Sequence, residues 1–413
     1  MSEPKETDQR GTLRSLPRNV WVTITTSFLT DISSEMIFNL IPLFLANVLG
    51  ASTAVIGLID GIAETVASLL KLVSGWLSDR LGSRKWLAVS GYGLSALVKP
   101  LLYFTTTWTG VLAVRFADRT GKGIRTSPRD ALIADSVTPR RRGIAFGLHR
   151  AGDTAGAVVG LLIALLVVLA TQADAVTLDR ATFQTLVLLS VVPGALAVIV
   201  LALWAREVAH GPREPGTRLT FGSLSKGFKR FLLVIAVFTL GNSSDAFLIL
   251  RAQERGLSVA GVLAMLLTFN LVYAVFSGPL GALSDRVGRR RLLIGGWLVY
   301  GLLYLGFAVA ATAWQVWALF MLYGFYYAAT EGTAKAFIAD VVPSAQRGTA
   351  YGFYNATVGL MALPASVLAG VLWQGIGGWP GFGPSAPFIA GAGLALAACA
   401  LLVQWLPRAT EPA

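Results

Sequence analysis

Gly75-Trp-Leu-Ser-Asp79-Arg80-Leu-Gly82-Ser-Arg84-Lys85 separates two apolar blocks and returns, displaced by 206 residues, as Gly281-Ala-Leu-Ser-Asp285-Arg286-Val-Gly288-Arg-Arg290-Arg291. Two further echoes keep nearly this register. Ala134-Asp135, Arg142-Gly143 and Gly147 return as Ala339-Asp340, Arg347-Gly348 and Gly352, displaced by 205. Leu29-Thr-Asp31-Ile-Ser33 is echoed more faintly by Leu240-Gly-Asn242-Ser-Ser244, displaced by 211. Three echoes in register mark an internal duplication.

Around these motifs the chain is unusually apolar. Of its 413 residues 54% are hydrophobic and 14% charged, against about 45–50% and ~25% in soluble domains. The apolar residues gather in about twelve blocks of roughly 20 to 28 residues, and at ~1.5 Å per residue each can cross a hydrocarbon core ~30 Å thick. The expected spans are 20–48, 54–78, 86–106, 109–137, 143–170, 181–204, 231–250, 257–283, 292–312, 314–341, 348–373 and 385–406. The chain therefore reads as an all-α membrane protein with twelve transmembrane helices. The polar first seventeen residues contain no apolar signal core, so the first block is expected to stay in the mature chain.

A net charge of +12 raises the question of nucleic acid, but bases must first be sorted by loop. Of 34 Lys and Arg, nine lie inside spans and three (Arg180, Arg251, Arg255) at one end, which leaves 22 in the termini and alternate connectors. By the positive-inside rule both termini are expected in the cytoplasm, with the protein multi-pass in the cell (inner) membrane and no nucleic-acid partner. The connector 206–230, with Gly211, Pro212, Pro215 and Gly216, divides six spans from six. The expected segments are a cytoplasmic start 1–19, an N-terminal bundle 20–205, the linker 206–230, a C-terminal bundle 231–406 and a tail 407–413. One cysteine, Cys399, and two histidines, His149 and His210, give no basis for a metal site. Thr120-Gly121-Lys122-Gly123 lacks the first glycine and the terminal Ser or Thr of a phosphate loop. No Gly-x-Ser-x-Gly element is present either, so no enzyme and no cofactor are expected.

The duplicated Gly-x-x-x-Asp-Arg-x-Gly-x-Arg-Lys/Arg loop, with twelve spans, resembles the signature of the major facilitator superfamily over essentially the whole chain, and within it poorly characterised prokaryotic permeases of the drug-efflux type. The resemblance implies two pseudo-symmetric six-helix bundles about a central cavity, lined by spans one, four, seven and ten, and alternating access by rocking. It makes the loop a gating motif comprising Gly75, Asp79, Arg80, Gly82 and Arg84, repeated as Gly281, Asp285, Arg286, Gly288 and Arg290. The physical basis is that a carboxylate at a helix amino end is favoured. Asp79 is expected to meet the start of span eleven near Gly348, and Asp285 the start of span five near Gly143, with the glycines permitting close packing and tight turns. Fixing topology alone requires neither the aspartates nor the glycines.

Ionisable residues inside the spans must face protein or water, because a charge at the bilayer centre costs about 2.5–3.5 kcal/mol even on the lenient insertion scale. Span four places Arg115, Asp118, Arg119, Lys122, Arg125, Arg129 and Asp130 in a sector of roughly 140°. Its excess of three positive charges favours an anionic ligand, unless Asp31, Glu35, Asp60 and Glu64 simply neutralise it. Arg115 aligns with the arginine of the family's span-four motif, whereas Arg119 stands where that motif has glycine. Asp31 and Glu35, and Asp60 and Glu64, are spaced by four and share a face, the arrangement of proton carriers. Arg150, Asn242, Asp245, Tyr327, Glu331, Lys335 and Asn355 complete the expected substrate site, although Glu331 and Lys335 also have the spacing of a plain intrahelical pair. Gly152, Gly156 and Gly160 resemble the family's antiporter motif with Ala157 in place of proline, and close helix packing is the simpler reading.

The expected function is proton-coupled secondary transport by alternating access. The cargo is a small organic molecule, with negative charge favoured by span four, moved outward by a protein that works as a monomer in the lipid bilayer. A proton symporter importing an organic anion, and a non-transporting receptor or scaffold on the same fold, are the alternatives.

Overall fold

Lipid offers no hydrogen bonds to the backbone, so apolar stretches of this length close their hydrogen bonds internally as helices. The computed structural model describes residues 16–138, 141–208, 224–342 and 347–405. Twelve spans alternate in direction and leave both described ends of the chain at one end of the molecule, called here the terminal end. Spans two to six are Thr53–Leu81, Lys85–Val98 continued by Lys99–Phe104, Trp108–Ser136, Arg142–Gln172 and Arg180–Trp204. Spans eight to twelve are Val259–Val287, Arg289–Val309, Ala313–Val341, Arg347–Gln374 and Ala386–Trp405. Among the described residues the only strand-like pairing is an isolated bridge between Ile376 and Trp379.

Ten spans are long and apolar enough to cross a bilayer by length and composition. The two that fall short are span four, which carries the charged stripe, and span ten, which carries Glu331, Lys335 and three tyrosines. The outer surface shows why a membrane is required: Val309, Leu97, Leu302 and Leu166 are all more than 60% exposed, a distribution that water would penalise and acyl chains do not.

Spans one and seven differ from expectation, because neither is one continuous helix. Span one runs Arg18–Glu35, breaks at Met36 and Ile37, and resumes as short helical turns to Val48. Span seven runs Lys226–Gly241, opens at residues 242–245, and resumes as Ala246–Glu254. It begins inside the segment expected as linker, since Lys226 follows Ser225, whose hydroxyl caps the helix by accepting from Phe228 N. The breaks fall about 206 residues apart, the displacement of the signature loop, so the duplication includes the interruption. Residues 1–15 and 406–413, and most of the connector with His210, lie outside the described residues.

Two kinds of contact hold the halves together. Glycines let spans two and eleven touch along their backbones: a Cβ added at Gly57 would stand 2.1 Å from Ser366 O, and one at Gly370 2.4 Å from Thr53 O. At the end away from the termini, Asn47 and Gln253, themselves 206 apart, exchange side-chain hydrogen bonds of 2.7 and 3.2 Å. Thr53 N donates to Gln374 and Val259 N to Ala175 O, both at 2.9 Å. The same end is braced within the second half by Arg251, fully buried, which donates to the carbonyls of Phe307 and Ala308 where span nine terminates. Sequence counting had placed Arg251 there as a topology charge only.

Candidate substrate and proton site

The two breaks lie level with each other, and between them is a cavity of about 440 Å³, within the size range of small-molecule sites. Span one contributes Asp31, Glu35, Phe38 and Asn39, span two Asp60 and Glu64, and span four Arg115, Asp118, Arg119, Lys122 and Arg125. From the second half come Asn242 to Ala246, Tyr323 and Tyr327, and Ser366. Spans one, four, seven and ten all contribute, as the family resemblance implied, and so do two and eleven.

Span four reaches the cavity as a charged face because glycines seat it deeply. A Cβ at Gly121 would lie 2.6 Å from Gly91 O of span three, and one at Gly123 2.5 Å from Leu70 Cβ of span two. The glycines that superficially suggested a phosphate loop are thus packing positions. Ser74 Oγ donates to Gly123 O at 2.8 Å and Ser127 Oγ to Lys71 O at 2.6 Å, stitching spans two and four together.

The positive surplus of the stripe is not the surplus of the cavity. Arg115 pairs with Asp60 at 3.1 Å and Arg119 with Glu64 at 3.3 Å, so two of the expected proton carriers are the counter-ions of span four. Both guanidinium groups and the Lys99 ammonium crowd the Phe38 ring, 4.6, 5.4 and 5.4 Å from its centroid, a cation–π arrangement that tolerates cations out of water. Phe38 is presented to them by the break in span one. Lys99 is further held by Ser33 and Ser34 at 3.1 and 2.8 Å. Asp60 also accepts from Ser244 Oγ at 2.9 Å, so one carboxylate joins a first-half arginine to the opened segment of span seven. Asp31 and Glu35 line the cavity, Glu35 accepting from Asn39 at 2.6 Å. Asp245 accepts from Tyr323 at 3.3 Å, and Asn242 from Tyr300 at 3.3 Å. Lys122 also lines the cavity, and its ammonium makes no hydrogen bond or ion pair with a described residue.

Several residues expected at this site are elsewhere. Arg129 turns to its neighbour Asp130 at 2.8 Å and to Ser27 at 3.3 Å. Arg150, Glu331 and Lys335 surround a separate cavity of about 290 Å³. There Arg150 reaches across the halves to Glu331 at 3.1 Å and Tyr273 at 2.8 Å, while Lys335 lies 3.6 Å from Glu331. Span ten, with Tyr323, Tyr327, Glu331 and Lys335 at four-residue intervals, therefore divides: Tyr323 and Tyr327 face the central cavity, Glu331 and Lys335 the other. Asn355 is exposed and lines neither. The physical reason is depth, since a stripe of that length outruns any single cavity.

The signature loops are partly described. Gly82 and Gly288 have φ of 64° and 94°, the left-handed geometry that favours glycine. A Cβ on Gly75 would make ordinary contact with Ser127, whereas one on Gly281 or Gly143 would meet no described atom within 4 Å. Arg80 and Arg286 are exposed, Arg80 lying over the Trp76 ring, and Arg290 donates to Val403 O. Arg84, buried, pairs with Asp135 at 2.5 Å. Its counterpart in the second half is Arg289 with Asp340, also 2.5 Å, one residue short of the register that aligned Arg84 with Arg290. The expected contacts of Asp79 with the start of span eleven and of Asp285 with the start of span five lie outside the described residues, as do those side chains.

Phe38, Asn39, Ser244 and Ser366 were missed by sequence reasoning. A signal existed for one of them: Asn242-Ser-Ser-Asp245 is a run of helix-capping residues inside an apolar stretch, which favours a break over a continuous helix.

Comparison with known proteins agrees with this architecture. The family model described as Major Facilitator Superfamily matches residues 23–267 and 231–413. An uncharacterized MFS-type transporter of Methanocaldococcus jannaschii is 38% identical over 396 residues, covering 94% of this chain and 95% of that protein. Among solved structures, a mutant of the nucleoside transporter NupG superposes with a TM-score of 0.77 at 13% identity, covering 94% of this chain and 100% of that one. The human organic anion transporter MFSD10 superposes with a TM-score of 0.66 at 17% identity, covering 93% and 99%. The chain belongs to the major facilitator superfamily of transporters.

Proposed function

We propose that this protein is a proton-coupled secondary active transporter that exports a small organic molecule by alternating access, with both termini and the terminal end in the cytoplasm. The observation that carries the reading is the charge composition of the cavity: six carboxylates (Asp31, Glu35, Asp60, Glu64, Asp118, Asp245) against four cations (Arg115, Arg119, Lys122, Arg125). Asp60 and Glu64 are held by arginines. The rest form a surplus of two negative charges along the lining, of which Lys99, over the Phe38 ring, offsets one, and the remainder is relieved by binding protons. Asp31 and Glu35 are the proposed carriers.

Lys122, whose ammonium has no partner among the described residues, is left to receive an anionic group on the cargo. An inside-negative potential favours the exit of an anion by about 2.3 kcal/mol per charge per 100 mV, which supports export. The organic anion transporter among the similar folds supports the same cargo class. The test is flux in proteoliposomes of either orientation under imposed pH gradients, with anionic, neutral and cationic compounds offered in parallel. Proton-linked efflux of an anion is expected. Co-directional flux of anion and protons into right-side-out vesicles would convert the reading to symport, and no flux of any compound would leave a receptor or scaffold.

A further inference from the structure

Spans one and five meet backbone to backbone because span five presents three glycines on one face. A Cβ at Gly152 would lie 2.8 Å from Ile24 Cγ2, at Gly156 2.4 Å from Phe28 O, and at Gly160 2.7 Å from Ile32 O. The approach brings Asp31 against span five, since the Cβ at Gly156 would stand 3.1 Å from Asp31 Cβ. Asp153 lies one turn before Gly156. Its Oδ1 is buried without a hydrogen-bond partner, and its Oδ2 lies 3.5 Å from His149 Nδ1.

The other face of His149 belongs to a hydroxyl network with spans one and three. Ser27 Oγ lies 2.9 Å from His149 Nε2 and 3.0 Å from Tyr92 OH, and it accepts from Arg129 Nη1 at 3.3 Å. Arginine only donates, so Ser27 keeps one proton and one acceptor site for Nε2 and Tyr92, and the arrangement that positions Asp153 has Ser27 donating to Nε2 and Tyr92 donating to Ser27. An Nε2 that accepts places the imidazole proton on Nδ1, facing Asp153. One oxygen of Asp153 is thereby positioned, and the other is left without a partner on a residue one turn from Gly156, where span five packs against Asp31.

We propose that Asp31 and Asp153 form a carboxyl pair that holds one exchangeable proton, with His149 as the residue that positions Asp153. This rests on the proton-coupled reading above and adds a residue to it. Two carboxylates brought together out of water do not both stay ionised, and a proton between them supplies the donor that Asp153 Oδ1 lacks. Asp31 is also faced by Glu35 of its own span and by Lys122, Arg125 and Arg129 of span four. Asp153 is faced by Asp130 and Arg129 of span four and by Arg150 of span five. Asp31 lines the cavity and Asp153 does not, so the pair exchanges its proton with the cavity through Asp31. The glycine stripe of span five is what allows that approach.

The experiment is infrared difference spectroscopy of the purified full chain in lipid, stepped in pH with no cargo added, reading the protonated-carboxyl C=O band. The wild type is expected to gain such a band on acidification. Asp31→Asn and Asp153→Asn are each expected to remove the same component, because the proton is shared, and Asp174→Asn, at an exposed acid outside the cavity, to leave it in place. His149→Phe keeps the component but raises its midpoint by about one pH unit, since the imidazole dipole 3.5 Å from Asp153 Oδ2, which favoured the carboxylate, is gone. If Asp153→Asn does not fold, Asp153→Ser reads the same loss. Should Asp153 variants retain the wild-type component and midpoint while Asp31→Asn removes it, Asp31 protonates alone and the pair is wrong. A wild type with no titrating carboxyl band would instead overturn the proton-coupled reading itself.

Discussion

At the scale of single residues, the molecule sorts its intramembrane charges into those that hold the protein together and those left to work. Arg115 belongs to the first kind. Removing one partner of a buried pair leaves the other uncompensated, so Arg115→Ala is expected to destabilise the protein by about 3–5 kcal/mol. Replacing both Arg115 and Asp60 by apolar residues should cost less than the sum of the two single changes, as read from thermal unfolding in detergent. Asp31 and Glu35 belong to the second kind. Asp31→Asn and Glu35→Gln should each abolish flux driven by a pH gradient while sparing exchange of cargo between equal pools, and unchanged pH-driven flux in both would remove them as carriers. Neutralising Lys122 should depress transport of an anion more than that of a neutral analogue; equal losses would make it a structural charge.

Helices show the same division at the scale of elements. Span four is a poor membrane helix by composition and a stable one in place, because Gly121 and Gly123 seat it between spans two and three and its cations meet acids and the Phe38 ring. Spans two and eleven are joined through Gly57, Gly61, Gly359 and Gly370, where no side chain fits. Gly57→Val is therefore expected to wedge them apart and shift the population toward the state open away from the termini. The check is a cysteine at Ser68, on the cavity wall, in a chain whose single native cysteine, Cys399, has been replaced. An impermeant thiol reagent applied from that side should label it several-fold faster than in the parent, and an unchanged rate would mean the halves part elsewhere.

For the whole molecule, side-chain contacts between the halves stand on both sides of the cavity: the Asn47–Gln253 belt at one end, and the Arg150–Glu331–Tyr273 cluster nearer the termini. Alternating access requires these fastenings to be broken in turn, since a rocking motion about the central cavity opens one end as it closes the other. Arg150→Gln is accordingly expected to raise reagent access to Ser68→Cys from the terminal side, and Asn47→Ala with Gln253→Ala from the opposite side. Equal changes on both sides from either variant would indicate loosening rather than a biased equilibrium.

Sequence by itself determined the twelve spans, the duplication and the family, because length, apolarity and a repeated loop are properties of contiguous residues. It also singled out every charged residue of the cavity lining, since an ionisable residue in a span has few places to go. Tertiary structure alone decided which charges cancel. Arg115 meets Asp60 across 55 residues and Ser244 meets Asp60 across 184, distances at which periodicity carries no information. The same holds for Arg150 and Glu331, which period and charge had assigned to the central site. It holds most for Phe38, an ordinary aromatic in the sequence that becomes a platform for three cations only because span one breaks beside it.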